Sequence, residues 1–147
     1  IAAERPTVWR VPIEGGRPER LLDVNCRNPS VSPDGRLIAC FRSENGSDLG
    51  IAVFPFEAGP PLKVFAQTDP GSPIIRWTPD GRFLTYVEND IGGSKIWMQP
   101  LSGEERRLWA HFENERVFGF DWSPDGTRLA CIRGFWSGNV VLLRRAT

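Results

Sequence analysis

A tetrapeptide that recurs at a fixed period constrains this chain more than any other feature of its sequence. SPDG at 32–35 reappears as TPDG at 78–81 and as SPDG at 123–126. The period of about 45 residues falls in the range typical of propellers and solenoids, in which each repeat buries its apolar faces against its neighbours. We therefore expect the whole fold to be built from this repeat.

Each period contains four short apolar runs that predict β-strands, which we call A to D in chain order. Strand A precedes the Pro-Asp-Gly turn, and strand B follows it at 36–41, 82–87 and 128–132. Strand C is predicted at 8–13, 51–56, 96–101 and 140–143, and strand D at 21–22, 64–65 and 108–109. Units of four strands and 40 to 45 residues are β-propeller blades. The predicted fold is all-β: a β-propeller segment of four-stranded antiparallel blades.

The Pro-Asp-Gly residues suit the hairpin between strands A and B. Proline fixes φ near −65°, aspartate accepts hydrogen bonds from the following amides, and glycine tolerates positive φ. The same placement in successive blades separates the three aspartates around a ring instead of bringing them together. We therefore predict structural turns, not a catalytic or metal site, at Asp34, Gly35, Asp80, Gly81, Asp125 and Gly126.

The composition excludes several classes of function. With 147 residues the chain suits a single domain, and its 18 Lys and Arg balance 18 Asp and Glu, which disfavours nucleic-acid binding. No apolar run is long enough to span a membrane. Zinc-ligand spacing, a nucleophile elbow, a P-loop and a dinucleotide fingerprint are missing from the sequence, and the single histidine, His111, is predicted in an exposed loop. We expect no catalysis, metal or cofactor.

The three cysteines, Cys26, Cys40 and Cys131, are predicted to be free thiols. Cys40 and Cys131 occupy equivalent positions in strand B, two blades apart, which is farther than a disulfide can reach. The sequence thus predicts no intramolecular disulfide.

The repeat resembles that of TolB-like β-propellers, which share the Trp-[Ser/Thr]-Pro-Asp-Gly turn and a following Ile-Trp strand. The resemblance extends from Val8 to Leu143. It implies a larger, six-bladed ring, a bacterial periplasmic or other extracytoplasmic location, and a scaffold that binds a protein or peptide partner. Such propellers also occur in the lids of prolyl-oligopeptidase-like enzymes and beside bacterial kinases and transcription regulators. The alternative is therefore a sensory or substrate-gating propeller that binds a small ligand or peptide at the channel mouth.

Candidate binding residues are those whose type changes while the repeat fixes their position. Ser30, Arg76 and Asp121 each precede the turn aspartate by four residues, in strand A, which lines the channel of a propeller. Arg76 and Asp121 form either a channel-wall ion pair or part of a ligand site. Phe135 and Trp136, in the loop between strands B and C, either pack against the rim or anchor a partner.

Counting strands gives thirteen, or three and a quarter blades, which cannot close a ring. The predicted divisions are a partial blade at 1–25, blades at 26–67 and 68–112, and a partial blade at 113–147. We expect an internal piece of a longer protein whose other blades close the ring. In isolation the segment is predicted to form a homodimer that completes a propeller ring, with 8–13 and 140–143 competing for one strand position.

Overall fold

The computed structural model describes residues 6–44, 47–66 and 74–135, with backbone alone at 48–49. Within these ranges all regular structure is β-strand, arranged in four antiparallel sheets. The strands are β1 Val8–Arg10, β2 Glu19–Leu22, β3 Cys26–Val31, β4 Leu37–Glu44, β5 Ser47–Pro55, β6 Lys63–Phe65, β7 Ile75–Trp77, β8 Phe83–Asp90, β9 Gly93–Pro100, β10 Arg107–Glu113, β11 Arg116–Trp122 and β12 Leu129–Gly134. No helix in the described part of the chain is long and apolar enough to cross a membrane.

The two central sheets are complete four-stranded meanders, which confirms the predicted blade. Their orders are β3-β4-β5-β6 and β7-β8-β9-β10, and each strand pairs with the next one along the chain. At the ends lie two-stranded sheets: β1–β2, the N-terminal half-sheet, and β11–β12, the C-terminal half-sheet. By the repeat, the first holds strands C and D and the second holds strands A and B. The strand predicted at 140–143 lies outside the described residues.

At each Pro-Asp-Gly turn a carboxylate organises the hairpin. At the second turn, Thr78 Oγ1 donates to Asp80 Oδ1 at 2.6 Å, and the Arg82 amide donates to the same oxygen at 3.0 Å. Gly81 has φ of 68°, and its amide donates to the Thr78 carbonyl at 2.8 Å. Asp34 and Asp125 make the corresponding bonds in the other two turns. The three turns thus share one hydrogen-bond pattern.

These hydrogen bonds lower the pKa of all three aspartates. For Asp34 and Asp125 the main cause is the hydroxyl bond from the preceding serine. For Asp80, burial raises the pKa, but the bonds from Thr78 and Arg82 outweigh it. A pKa below the unfolded value of 3.8 means that the ionised form adds stability above that pH, and that this stability is lost as the pH falls through the folded-state pKa.

We predict that Asp80→Ala lowers the free energy of unfolding by about 1 kcal/mol, because it removes the turn hydrogen bonds.

A triple Asp→Asn variant at positions 34, 80 and 125 should lose less stability than the wild type between about pH 6 and about pH 3, because the titrating groups are gone. Urea denaturation at each pH measures both effects. Parallel pH profiles for the two proteins would contradict the linkage.

Three apolar clusters hold the four sheets together face to face. The first joins the N-terminal half-sheet to β3–β6, the second joins the two complete sheets, and the third joins β7–β10 to the C-terminal half-sheet. Trp77, only 6% exposed, belongs to the second cluster, and its indole Nε1 donates to the Ser30 carbonyl at 2.9 Å. At the next interface Trp122 Nε1 donates to Thr85 Oγ1 at 3.0 Å. The strand A tryptophans thus join each sheet to the preceding one.

The prediction of three free thiols is wrong for two of them. Cys26 in β3 and Cys40 in β4 form a disulfide, with Cα atoms 5.7 Å apart, and both are buried. The two residues belong to paired strands of one hairpin, and the register shift between Arg27 and Ser30 places Cys26 opposite Arg42, diagonal to Cys40. Cys131 is free and half-buried.

Two predicted loops are also shorter than expected. His111 is exposed, as predicted, but it lies inside β10 and not in a loop, because strand D of that sheet runs on to Glu113. In the same sheet β8 extends to Asp90 and β9 begins at Gly93, so the connection between the strands predicted at 82–87 and 96–101 is a tight hairpin turn. Continuous pairing from Phe83–Pro100 to Asp90–Gly93 accounts for the longer strands.

Candidate binding site on the innermost strands

The three strand A segments, β3, β7 and β11, bring the first set of predicted site residues onto neighbouring sheets. Ser30 is half-buried and its carbonyl is occupied by Trp77, whereas Arg76 and Asp121 are exposed. Arg76 Nε lies 3.6 Å from Asp121 Oδ1, so the two side chains form an ion pair between adjacent sheets. The structure therefore joins Arg76 and Asp121 and leaves Ser30 as a backbone contact.

Each side chain of this ion pair also forms a hydrogen bond with the backbone of an adjacent residue. Arg76 Nη1 donates to the Ile75 carbonyl at 2.9 Å, and Asp121 Oδ1 accepts from the Trp122 amide at 3.0 Å. The side chains are 44% and 77% exposed, and such exposed pairs contribute at most about 1 kcal/mol. A partner that offers its own charges can therefore replace this contact at small cost.

The innermost strands expose further side chains that sequence reasoning missed. They are Arg27, Val31, Arg116 and Phe118. Arg27 and Val31 lie on β3, where Cys26 is the one buried residue, and Arg116 and Phe118 flank the buried Val117 on β11. On β11 the change between exposed and buried neighbours is the signal that could have identified Arg116 and Phe118.

Phe135 and Trp136 are not brought to the ion pair. Phe135 is 71% exposed and follows the end of β12, beside the start of β11. Asp121 pairs with Ala130 at the other end of the half-sheet, five residues from Phe135, which is roughly 16 Å along a strand. Trp136 lies outside the described residues.

The described residues contain no group of three or more His, Cys, Asp or Glu side chains that could hold a metal ion. The three turn aspartates stay in separate hairpins, each bonded to its own turn. The exposed surface of the innermost strands carries the Arg76–Asp121 pair and single apolar side chains.

Comparison with solved structures identifies the architecture. An Agrobacterium tumefaciens protein assigned as TolB superposes with a TM-score of 0.69 and 24% identity, over 86% of this chain and 50% of that one. TolB from Acinetobacter baumannii gives 0.67 and 20%, over 88% of this chain and 32% of its own. The fold is a TolB-like β-propeller segment. The chain spans half the length of the first protein and about a third of the second.

A prolyl endopeptidase has a TM-score of 0.62 with this chain at 22% identity, over 86% of this chain and 22% of the enzyme. The similarity is one of fold. No protein-family model matches the sequence, and comparison with curated proteins gives no match.

Proposed function

We propose that this propeller segment is a non-catalytic scaffold that binds a protein or peptide partner through its innermost strands. The observation that carries the proposal is the Arg76–Asp121 ion pair, which adjacent sheets hold in register on an exposed surface. Rigid paired strands fix the positions of the two charges, whereas their exposure leaves both able to contact a partner. A peptide supplies charged and apolar side chains, which match the charges and the exposed Phe118 on these strands.

We further propose that the protein functions in the periplasm or another extracytoplasmic space. The Cys26–Cys40 disulfide supports this location, because disulfides form and persist in oxidising compartments and are rare in the cytosol. The two TolB structures are the other support, through fold alone.

A second candidate function is a propeller that gates or senses a ligand for an attached enzyme or regulator. The similarity to a prolyl endopeptidase, of which this chain matches only 22%, favours it. The two proposals differ in the domains they require, since a gating or sensing propeller needs an adjoining catalytic or regulatory domain. The sequence of the full-length gene distinguishes them.

The scaffold proposal is tested by panning a random-peptide phage library against the immobilised protein. We predict that Arg76→Glu lowers the affinity of the selected peptides by about tenfold or more, because it reverses one charge of the pair. The matched control is Arg107→Glu, because Arg107 is also an exposed arginine paired with a carboxylate, Glu104, but lies on the outermost strand β10. Isothermal titration calorimetry measures both affinities.

Two results would contradict the proposed site. Panning that enriches no peptide would argue against peptide recognition by this segment. Selected peptides that bind Arg76→Glu as tightly as the wild type, or that lose affinity equally with Arg107→Glu, would place recognition away from the innermost strands. Circular dichroism of both variants verifies that each is folded.

A further inference from the structure

Each Pro-Asp-Gly turn contains an Asp-Gly peptide bond, a dipeptide whose aspartate rearranges to isoaspartate unusually readily. In the rearrangement the backbone nitrogen of the glycine attacks Cγ of the aspartate, and glycine has no Cβ to hinder the approach. The three bonds are Asp34-Gly35, Asp80-Gly81 and Asp125-Gly126. All three aspartates are exposed to solvent, so each bond is a candidate site of spontaneous covalent modification.

The rearrangement passes through a cyclic imide. The glycine nitrogen forms a bond to Cγ, and its proton leaves with the hydroxyl group of the protonated carboxyl as one molecule of water. A second molecule of water then adds to a carbonyl of the ring and breaks one of its two C–N bonds. If the original peptide bond breaks, the chain continues through Cγ, and the backbone of this isoaspartate is one carbon longer.

The glycine nitrogen is engaged in the folded turn. Each glycine amide donates to the carbonyl oxygen three residues earlier, at 2.8 Å in every turn: Gly35 to Ser32, Gly81 to Thr78 and Gly126 to Ser123. The attack on Cγ requires the nitrogen to lose this proton. A hydrogen-bonded amide gives up its proton mainly when the local structure opens, so the intact turn slows the attack.

The carboxylate of each turn is engaged with other partners. Asp80 Oδ1 accepts hydrogen bonds from Thr78 Oγ1 at 2.6 Å and from the Arg82 amide at 3.0 Å, and Asp34 and Asp125 accept the corresponding pair. All three aspartates have a lowered pKa, so the protonated form, from which water leaves, is rarer in the fold than in the unfolded chain. Neither reacting group is therefore available while the turn is intact.

We propose that the three Asp-Gly bonds are latent isoaspartate sites, which each folded turn protects through its own hydroxyl and amide hydrogen bonds and which react when that turn opens. Because imide formation is far slower than local opening, the rate at each bond follows the population of the open turn. The extra backbone carbon then prevents a modified turn from forming the same hydrogen bonds. This inference concerns covalent change in the turns and is independent of the proposed partner at the innermost strands.

Incubation of the 147-residue protein at neutral pH and physiological temperature is the first test. Trypsin releases the three turns in separate peptides, 28–36, 77–82 and 117–128, and electron-transfer fragmentation distinguishes isoaspartate from aspartate in each. The reference is the same chain unfolded in guanidinium chloride at the same pH. We expect isoaspartate to form at every turn at least about tenfold more slowly in the folded protein, because the open population is small.

Removing one hydroxyl tests whether the turn itself gives the protection. Thr78→Val keeps the side-chain shape but removes the donor to Asp80, so isoaspartate should form at Asp80 about tenfold faster, the value for one hydrogen bond to a charged group. The turns at Asp34 and Asp125 in the same molecule are internal references and should keep their wild-type rates. Ser102→Ala, which removes an exposed hydroxyl outside the three turns, is the matched control and should change no rate.

The proposal is wrong if any of three results is obtained. The first is isoaspartate that forms as fast in the folded protein as in guanidinium chloride, and the second is an unchanged rate at Asp80 in Thr78→Val. The third is equal acceleration at all three turns, which would mean that the whole fold and not the turn gives the protection. Circular dichroism verifies that the variant is folded, and Ser32→Ala, which should accelerate Asp34 alone, repeats the test at the first turn.

Discussion

Replacing Trp77 by Ala is expected to lower the free energy of unfolding by about 3 to 5 kcal/mol. The side chain is 6% exposed, and it packs in the cluster that joins the two complete sheets. Its removal leaves a cavity and also deprives the Ser30 carbonyl of the indole hydrogen bond at 2.9 Å. Urea denaturation followed by far-ultraviolet circular dichroism measures the loss.

Two further variants divide this effect into its parts. Trp77→Phe retains most of the apolar volume but removes the indole donor, so we expect a smaller loss than for Trp77→Ala. Ile91→Ala, at a fully exposed position, should change stability by less than about 0.5 kcal/mol. A Trp77→Ala variant as stable as Ile91→Ala would mean that Trp77 contributes little to the packing between the two sheets.

The repeat predicted the architecture because the same local chemistry occurs three times. Turn residues at a fixed spacing specify hairpins, and apolar runs of the same spacing specify the strands, so the blade follows from local signals alone. The strand ends were predicted less well. Asp90 and Gly93 belong to β8 and β9, although their composition is typical of a loop, because pairing continued along the hairpin. Strand pairing in the folded protein overrode the local preference.

Side-chain contacts were predicted where the repeat fixed them and missed where it did not. Arg76 and Asp121 share one register position, so their proximity followed from the spacing. The other repeats have no cysteine at the position of Cys26. The distance from Cys26 to Cys40 depends on the register shift in β3, where Asn28 has a φ of 53°. Comparing cysteines only between blades overlooked a pair inside one hairpin. The signal was present, since both cysteines flank the same turn.

The second large effect concerns this disulfide. We expect the Cys26→Ala, Cys40→Ala double variant to lose about 3 kcal/mol of stability, the value for a closed loop of roughly 15 residues. The bridge spans a sequence separation of 14 and restricts the unfolded chain, and its removal leaves two buried positions, 3% and 0% exposed, less well filled. Urea denaturation of the oxidised proteins measures the difference.

The matched control for the disulfide is Cys131→Ala, which removes a free and half-buried thiol. It should leave most of the stability in place, and a reductant should then destabilise Cys131→Ala as much as the wild type. The same reductant should have no effect on the double variant, which has no bridge to break. Alkylation of the wild type, unfolded without reductant, should label Cys131 alone. Labelling of all three cysteines would show that the bridge does not form, and would remove one of the two supports for an oxidising compartment.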